Sequence, residues 1–322
     1  MTVPSIGITL GDPGGIGPEV VIKGFSQASR FPDARYVIFG SKSVLTAEQA
    51  ALGLRLELVP WEGDSLPPAP GPFFRDIEFP PAPIIRGRPS AENGKASFRW
   101  FEKACELARR GILDAVVTAP ISKTSWRLAG LPWRGHTEYL ESLYPGAIMS
   151  FWSDKLRVAL LSHHLPLKEA LEKVRKDNLL EFFRSLHRDL AKVPSGIGEI
   201  LVAGLNPHAG EDGLLGGEET VEIKPAIETA AREGIPISGP FPPDTAFLKA
   251  LGKPATVVVA LYHDQGLIAF KMAAFDTGVN VTLGMPFIRT SPDHGTAFDI
   301  VGKGIADAGS MIEAVRLAVR LS

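Results

Sequence analysis

The 322-residue chain contains one cysteine, Cys105, which excludes an internal disulfide framework and any zinc or iron–sulfur site built from several thiolates. Its setting in FRWFEKACELARRG, a stretch of helical spacing, points to a thiol packed as a small apolar group. No apolar run approaches the roughly 20 residues that span a bilayer. The opening SIGITLGDPGG carries neither a basic segment nor a long apolar core, so a cytoplasmic protein without a membrane partner is expected. Thirty-four basic residues against 36 acidic ones leave a formal charge of −2. With no basic tract of five or more residues, nothing electrostatic favours nucleic acid, and small molecules are the expected ligands. The common nucleotide signatures are missing too. GITLGDPGGIGPEVVIKGF reads as strand, glycine-rich loop and helix, with Pro18 suited to the first turn. Yet Gly11, Gly14 and Gly17 follow GxxGxxG instead of GxGxxG, YVIFG ends in Gly40 and Ser41 without a ribose-binding acid, and no GKS or GKT follows.

What is present is an alternation of short β-branched runs with amphipathic helical patterns, the mark of α/β layers around a largely parallel sheet. Strands are expected at Ile6–Leu10, Tyr36–Phe39, Ala115–Thr118, Arg157–Leu161, Ile200–Gly204 and Thr256–Leu261. Helices are expected at Pro18–Gln27, Glu92–Arg110, Leu167–Leu190 and Glu218–Arg232, the last closed by Gly234. Length alone gives a prior of about two domains. PWEGDSLPPAPGPFFRDIEFPPAPIIRGRP, residues 60–89, holds too many prolines for a helix or a central strand and is expected to be a surface excursion or edge structure in the first domain.

Histidines cluster where expected strands end. LRVALLSHHLP supplies His163 and His164, LVAGLNPHAGEDG supplies His208, and VVVALYHDQG supplies His263. Ligands bind beyond the carboxyl ends of strands in open α/β sheets, and three imidazoles leaving a coordination position open is a pattern of catalytic divalent ions. Each histidine alone could simply hydrogen-bond its loop; three together point to a metal. Spacing does not choose between His163 and His164, although HLPL, resuming toward a helix, favours His164. His187, among apolar positions at helical spacing, reads as structural.

Other polar groups sit in sequence marked by glycine and proline. His136 and Thr137 in RGHTEYLESL stand at an expected helix start, where backbone donors bind anions or a hydroxyl merely caps. Asp244 in GPFPPDTAF could bind a metal, move protons, or close an Asx turn. Lys271, Asn280 and Arg289 could jointly hold phosphate or carboxylate, or each be a solvated surface group.

SPDHGTAFDIVGKGIADAGSM resembles the segment with which isocitrate and isopropylmalate dehydrogenases bind a nicotinamide dinucleotide without a Rossmann fingerprint. Together with GDPGGIGPEV, GHTEYL, HHLPL, LNPHAGE, PPDTAF, YHDQGL and VNVTLGMPFIRTSPDHGTAFD, in this order from about Gly7 to about Ala314, the chain resembles the 4-hydroxythreonine-4-phosphate dehydrogenase family of vitamin B6 biosynthesis. The resemblance implies an α/β fold of the isocitrate/isopropylmalate dehydrogenase type, with two α/β domains and a cleft between them. Residues 1–122 with 276–322 would carry the dinucleotide site, and 123–275 most metal and dimer contacts. It further implies a homodimer with its active site near the subunit interface, NAD or NADP, and a divalent metal such as zinc, magnesium or cobalt. Carried over motif by motif, His164, His208 and His263 are the implied metal ligands. His136, Thr137, Lys271, Asn280 and Arg289 are the implied substrate-binding set, and His294, Gly295, Thr296 and Ala297 the cofactor-binding one. Lys271, Asp244 or His136 would move the proton, with Asp264 as an accessory acid. The implied reaction is oxidation of 4-phosphooxy-L-threonine to 2-amino-3-oxo-4-phosphooxybutanoate, then decarboxylation to 3-amino-2-oxopropyl phosphate. Alternatives are a dehydrogenase of threonate or erythronate 4-phosphate and, more distantly, a zinc hydrolase or a phosphate-ligand binding module. Gly14 stands where many members have alanine.

Overall fold

The structure is a computed structural model and describes residues 3–27, 30–78, 84–194, 196 and 198–322. By contacts the chain forms two compact units, Met1–Pro145 with Met285–Ser322, and Gly146–Gly284. Relative to the division expected from sequence, segments 123–145 and 276–284 change sides.

The first unit opens with strand β1 (Ser5–Thr9), helix α1 (Gly17–Ser26), β2 (Arg35–Gly40), α2 (Lys42–Leu52), β3 (Val59–Pro60) and β4 (Gly71–Asp76). Then come α3 (Ala91–Arg109), β5 (Ala115–Thr118), α4 (Lys123–Leu128) and α5 (His136–Leu143). The second unit contains β6 (Ile148–Trp152), β7 (Arg157–Leu160), α6 (Leu167–Glu172), α7 (Lys176–Leu190), β8 (Glu199–Ala203), α8 (Lys224–Arg232), β9 (Ile237–Phe241), α9 (Pro243–Ala250), β10 (Thr256–Ala260), α10 (His263–Ala274) and β11 (Val279–Leu283). The chain returns to the first unit with β12 (Ile288–Pro292) and α11 (Gly309–Leu321).

In the first unit the strands run β3-β4-β2-β1-β5-β12, every pair parallel. The central runs IGIT, YVIF and AVVT are buried on both faces, as parallel strands covered by helices must be. The proline-rich segment supplies β3 and β4 at the sheet edge, where missing N–H donors cost least; its positions 79–83 lie outside the described residues. In the second unit the order is β11-β6-β7-β10-β8-β9, with β11–β6 and β6–β7 antiparallel and the rest parallel. Its core gathers Phe151, Val158, Leu160, Leu201, Val258, Leu267 and Phe270 from strands and α10.

All six expected strands are present. The helix expected over Leu167–Leu190 is two, because Arg175 is extended and the Lys176 N–H and Arg175 side chain both donate to Glu222, at 2.7 and 3.1 Å. A remote acid thus opens a new helix N-terminus. The one expected over Glu218–Arg232 begins with a π-helical turn, Glu219–Ile223, before α8, whose Pro225 has no N–H to continue an earlier ladder.

Candidate active site

In the second unit, β7, β10 and β8 are adjacent and parallel, so the loops carrying His164, His263 and His208 leave the same edge of the sheet. Two side chains tie that edge together. Gln265 accepts from the Leu261 N–H at 2.8 Å and donates to the Gly204 carbonyl at 2.7 Å, joining the ends of β10 and β8. The Ser162 hydroxyl donates to the Leu261 carbonyl at 2.9 Å, joining β7 to β10.

His263 is the first residue of α10, and its Nδ1 lies 2.8 Å from the Asp264 carboxylate. With Nδ1–H donated to that carboxylate, Nε2 keeps its lone pair, the arrangement metal-binding histidines use. The His164 ring lies 5.8 Å from the His263 ring, centroid to centroid, and 5.2 Å from that of His163. His164 has a left-handed backbone, φ 51°. His208 does as well, φ 54°, and it opens a left-handed run through Asp212. Each non-glycine residue of that run costs roughly 1–2 kcal/mol, and such strain collects at functional loops. The base of the loop is held by buried Glu219, whose carboxylate accepts from the backbone N–H groups of Leu205 and Asn206, both at 2.7 Å, and from the Asn206 amide. His208 itself is exposed. Among the described residues no three His, Cys, Asp or Glu side chains approach closely enough to hold a metal. Of the three expected imidazoles, those of His164 and His263 are neighbours. For a divalent ion the donors fit in part: two neighbouring imidazoles, one with its ligating nitrogen set by a carboxylate.

Asp244, in the first turn of α9, and Asp264 both line a groove of about 640 Å³ between α9 and α10. Its walls and rim expose Leu248, Leu251, Ile268 and Met272, with Phe275 following α10. Lys271 lies exposed on α10, and Asn280, half-buried on β11, pairs with Phe151 of β6.

The first unit holds the rest of the expected set. Arg289 on β12 is 4% exposed; its Nε and Nη2 donate to the Thr118 hydroxyl at 3.0 and 2.6 Å, and Nη2 reaches His136 Nδ1 at 3.1 Å. His136 is the first residue of α5, with its ring centroid 4.4 Å from that of Phe101 and 5.5 Å from that of Trp126. Burial, and then the Arg289 charge, hold the imidazole well below the usual histidine range. Burial also lowers the Arg289 guanidinium to about 10. Thr137 follows, half-buried, in the first turn of α5. Cys105 is buried in α3, and burial pushes its thiol up, as packing implies.

His294, Gly295, Thr296 and Ala297 form the loop after β12. The Ile16 N–H donates to the Thr296 carbonyl at 3.0 Å, and a side chain at Gly15 would press on Thr296 at 2.9 Å. His294 Nδ1 lies 3.1 Å from the Gly295 carbonyl, while its Nε2 is buried without a partner. Around Gly295 the space is open. A folded loop against a glycine turn, with one unmatched buried nitrogen, fits a polar cofactor edge. The glycine-rich turn is itself braced by Asp12, which accepts from Gly14 N–H at 2.8 Å and Ser125 Oγ at 2.7 Å; burial raises its pKa against those bonds. Gly14 is required here, because a Cβ would sit 2.3 Å from the Ile85 carbonyl.

Sequence reading missed Thr118, Glu219 and Asp12, and gave Gln265 no role. Gln265 had a signal, a polar side chain just past a buried strand. Thr118 and Glu219 had none, since their partners lie 171 and 13 or 14 residues away.

The fold is shared with a β-decarboxylating dehydrogenase from Thermococcus kodakarensis, which matches 98% of this chain and 82% of its own with a TM-score of 0.51 at 16% identity. The chain belongs to the family described as pyridoxal phosphate biosynthetic protein PdxA, which matches residues 33–318. It is 43% identical over 323 residues, 99% of this chain and 97% of the other, to the 4-hydroxythreonine-4-phosphate dehydrogenase of Chromobacterium violaceum. The crystal structure of 4-hydroxythreonine-4-phosphate dehydrogenase from Klebsiella pneumoniae superposes with a TM-score of 0.88 at 35% identity, covering 99% of both chains. The family expected from the motifs and the α/β fold class are thereby met.

Proposed function

We propose that this chain oxidises 4-phosphooxy-L-threonine with NAD or NADP and a divalent cation, and that the resulting β-keto acid loses carbon dioxide to give 3-amino-2-oxopropyl phosphate. Family membership supports the substrate, and one observation carries the chemistry: His164 and His263 adjoin at neighbouring strand ends, with His263 Nδ1 on Asp264. His164, His263 and His208 would hold the ion. A divalent cation there would supply Lewis-acid stabilisation of negative charge on substrate oxygens, and His294–Ala297 would hold the nicotinamide dinucleotide, which would supply the hydride acceptor. Arg289, His136 and Thr137 bind the substrate's anionic end, with Lys271 and Asn280 as further polar contacts. Lys271, Asp244 or His136 takes the hydroxyl proton as the hydride leaves the same carbon.

The working form is a homodimer. Ile268, Met272 and Phe275 follow one another at helical spacing and are exposed beside Leu248 and Leu251, an apolar face that pairing of two copies would cover. Exposed His208 would complete the ion's coordination across that pair. Met272→Glu with Ile268→Glu is expected to yield monomers in sedimentation; an unshifted dimer would remove this face from the scheme. No described helix is long and apolar enough to cross a membrane.

The reaction is tested by supplying NAD and NADP with 4-phosphooxy-L-threonine and with threonate 4-phosphate side by side. Reduced nicotinamide and carbon dioxide should form with the higher kcat/KM on 4-phosphooxy-L-threonine. The reverse preference would move the substrate to the sugar acids, and no reaction with either would overturn the proposal.

A further inference from the structure

The buried contact between Arg289 and His136 has a chemical consequence. A guanidinium only donates hydrogen bonds, so the 3.1 Å contact from Arg289 Nη2 makes His136 Nδ1 an acceptor. An imidazole whose Nδ1 accepts carries its proton on Nε2 and is neutral. Arg289 is in turn bonded to Thr118 Oγ1, fully buried at the end of β5, which receives both Nε–H and Nη2–H. The second Nη2 hydrogen is thereby aimed at the ring. Three surroundings oppose a charged ring: aromatic walls from Phe101 and Trp126, the positive N-terminal end of α5, and Arg289 itself. Ionisable groups around this cluster include Cys105 on α3 and Glu138 on α5, which act on Arg289, and Glu102 on α3 and Tyr139 on α5, which interact with Cys105. Finally, His136 Nε2 is buried and has no hydrogen-bond partner, an unsatisfied donor of the kind that marks a place for a ligand acceptor.

We infer that Thr118 is a positioning residue: by holding Arg289 it locks His136 as the neutral Nε2–H tautomer, so that His136 donates a hydrogen bond to bound substrate and does not act as the general base. This rests on the proposed placement of His136 in the substrate site, and it narrows the proton acceptor to Lys271 and Asp244.

The test is the tautomer of His136 in the full-length protein labelled with ¹⁵N-histidine, assigned by loss of its signals in His136→Gln. Long-range proton–nitrogen spectra should show protonated Nε2 and unprotonated Nδ1, unchanged from mildly acidic to mildly alkaline pH. Thr118→Ser, which keeps the oxygen, should preserve that pattern. Thr118→Val, of equal size without it, should give mixed tautomers or a titrating ring, and should raise KM for 4-phosphooxy-L-threonine about tenfold while changing kcat less. A wild-type ring protonated at Nδ1, or charged near neutrality, would overturn the inference. An unchanged spectrum in Thr118→Val would remove Thr118 from it. The spectra need no turnover, so wild-type protein inactive on this substrate would defeat the proposed reaction separately and leave the tautomer assignment to be judged alone.

Discussion

The two units carry the same residue type in opposite states. In the first, His136 is buried, walled by aromatic rings and bonded to Arg289, which is itself fixed by Thr118. In the second, His208 is exposed on a left-handed loop, and the rings of His164 and His263 are neighbours, while among the described residues no three such side chains are placed to hold a metal. Burial decides the protonation state of the first histidine within one chain. The second group is prepared at its base, by Gln265 and Glu219, and left open at its tip. A buried side chain such as His136 has its protonation state set by folding, before any ligand reaches its remaining polar atom. One that faces outward has its role set by what arrives, here an ion, a substrate and, in the scheme above, a second copy.

That contrast can be broken most strongly at the open site. His263→Ala should lower kcat/KM by roughly a thousandfold, the several kcal/mol a metal supplies, while thermal unfolding stays near wild type. Near-normal turnover would mean the histidines are structural. Next, inactive His208→Ala and His263→Ala proteins, unfolded and refolded together, should recover about a quarter of wild-type activity if His208 serves the other copy's ion, since half the random dimers then hold one complete site. No recovery would return His208 to its own chain. At the buried site, Arg289→Ala should raise KM for 4-phosphooxy-L-threonine roughly ten- to hundredfold, the worth of a charge-assisted hydrogen bond, with a smaller change in kcat. An unchanged KM would place the anion elsewhere.

The smallest effect concerns stability. Folded His136 stays neutral where the unfolded chain, with an ordinary value near 6.5, takes up a proton. The unfolded state therefore binds more protons below about pH 6.5, and stability falls as pH drops, by at most about 1.4 kcal/mol per pH unit, until the depressed folded pKa is reached. His136→Gln should flatten that slope in denaturant melts across pH 5 to 7; equal slopes would mean the ring is charged in the fold.

The same contrast explains what could be read in advance. Buried parallel strands such as TVVVA and AVVT announce themselves, because both faces are apolar. The edge strands β3 and β4 do not, since proline breaks their pattern. Histidines past strand ends were visible as candidates. What holds them was not: Glu219 reaches back to Leu205 across a loop, Thr118 meets Arg289 from 171 positions away, and the break before α7 depends on Glu222. These are tertiary pairings with no local periodicity to betray them.

The central claim is that imidazoles at neighbouring strand ends hold a divalent ion on which oxidation depends. Its most direct test is nicotinamide reduction with 4-phosphooxy-L-threonine before chelation, after exhaustive chelation, and after zinc, magnesium or cobalt is returned. Turnover should vanish with the metal and come back with one of these ions; undiminished turnover in metal-free protein would contradict the account.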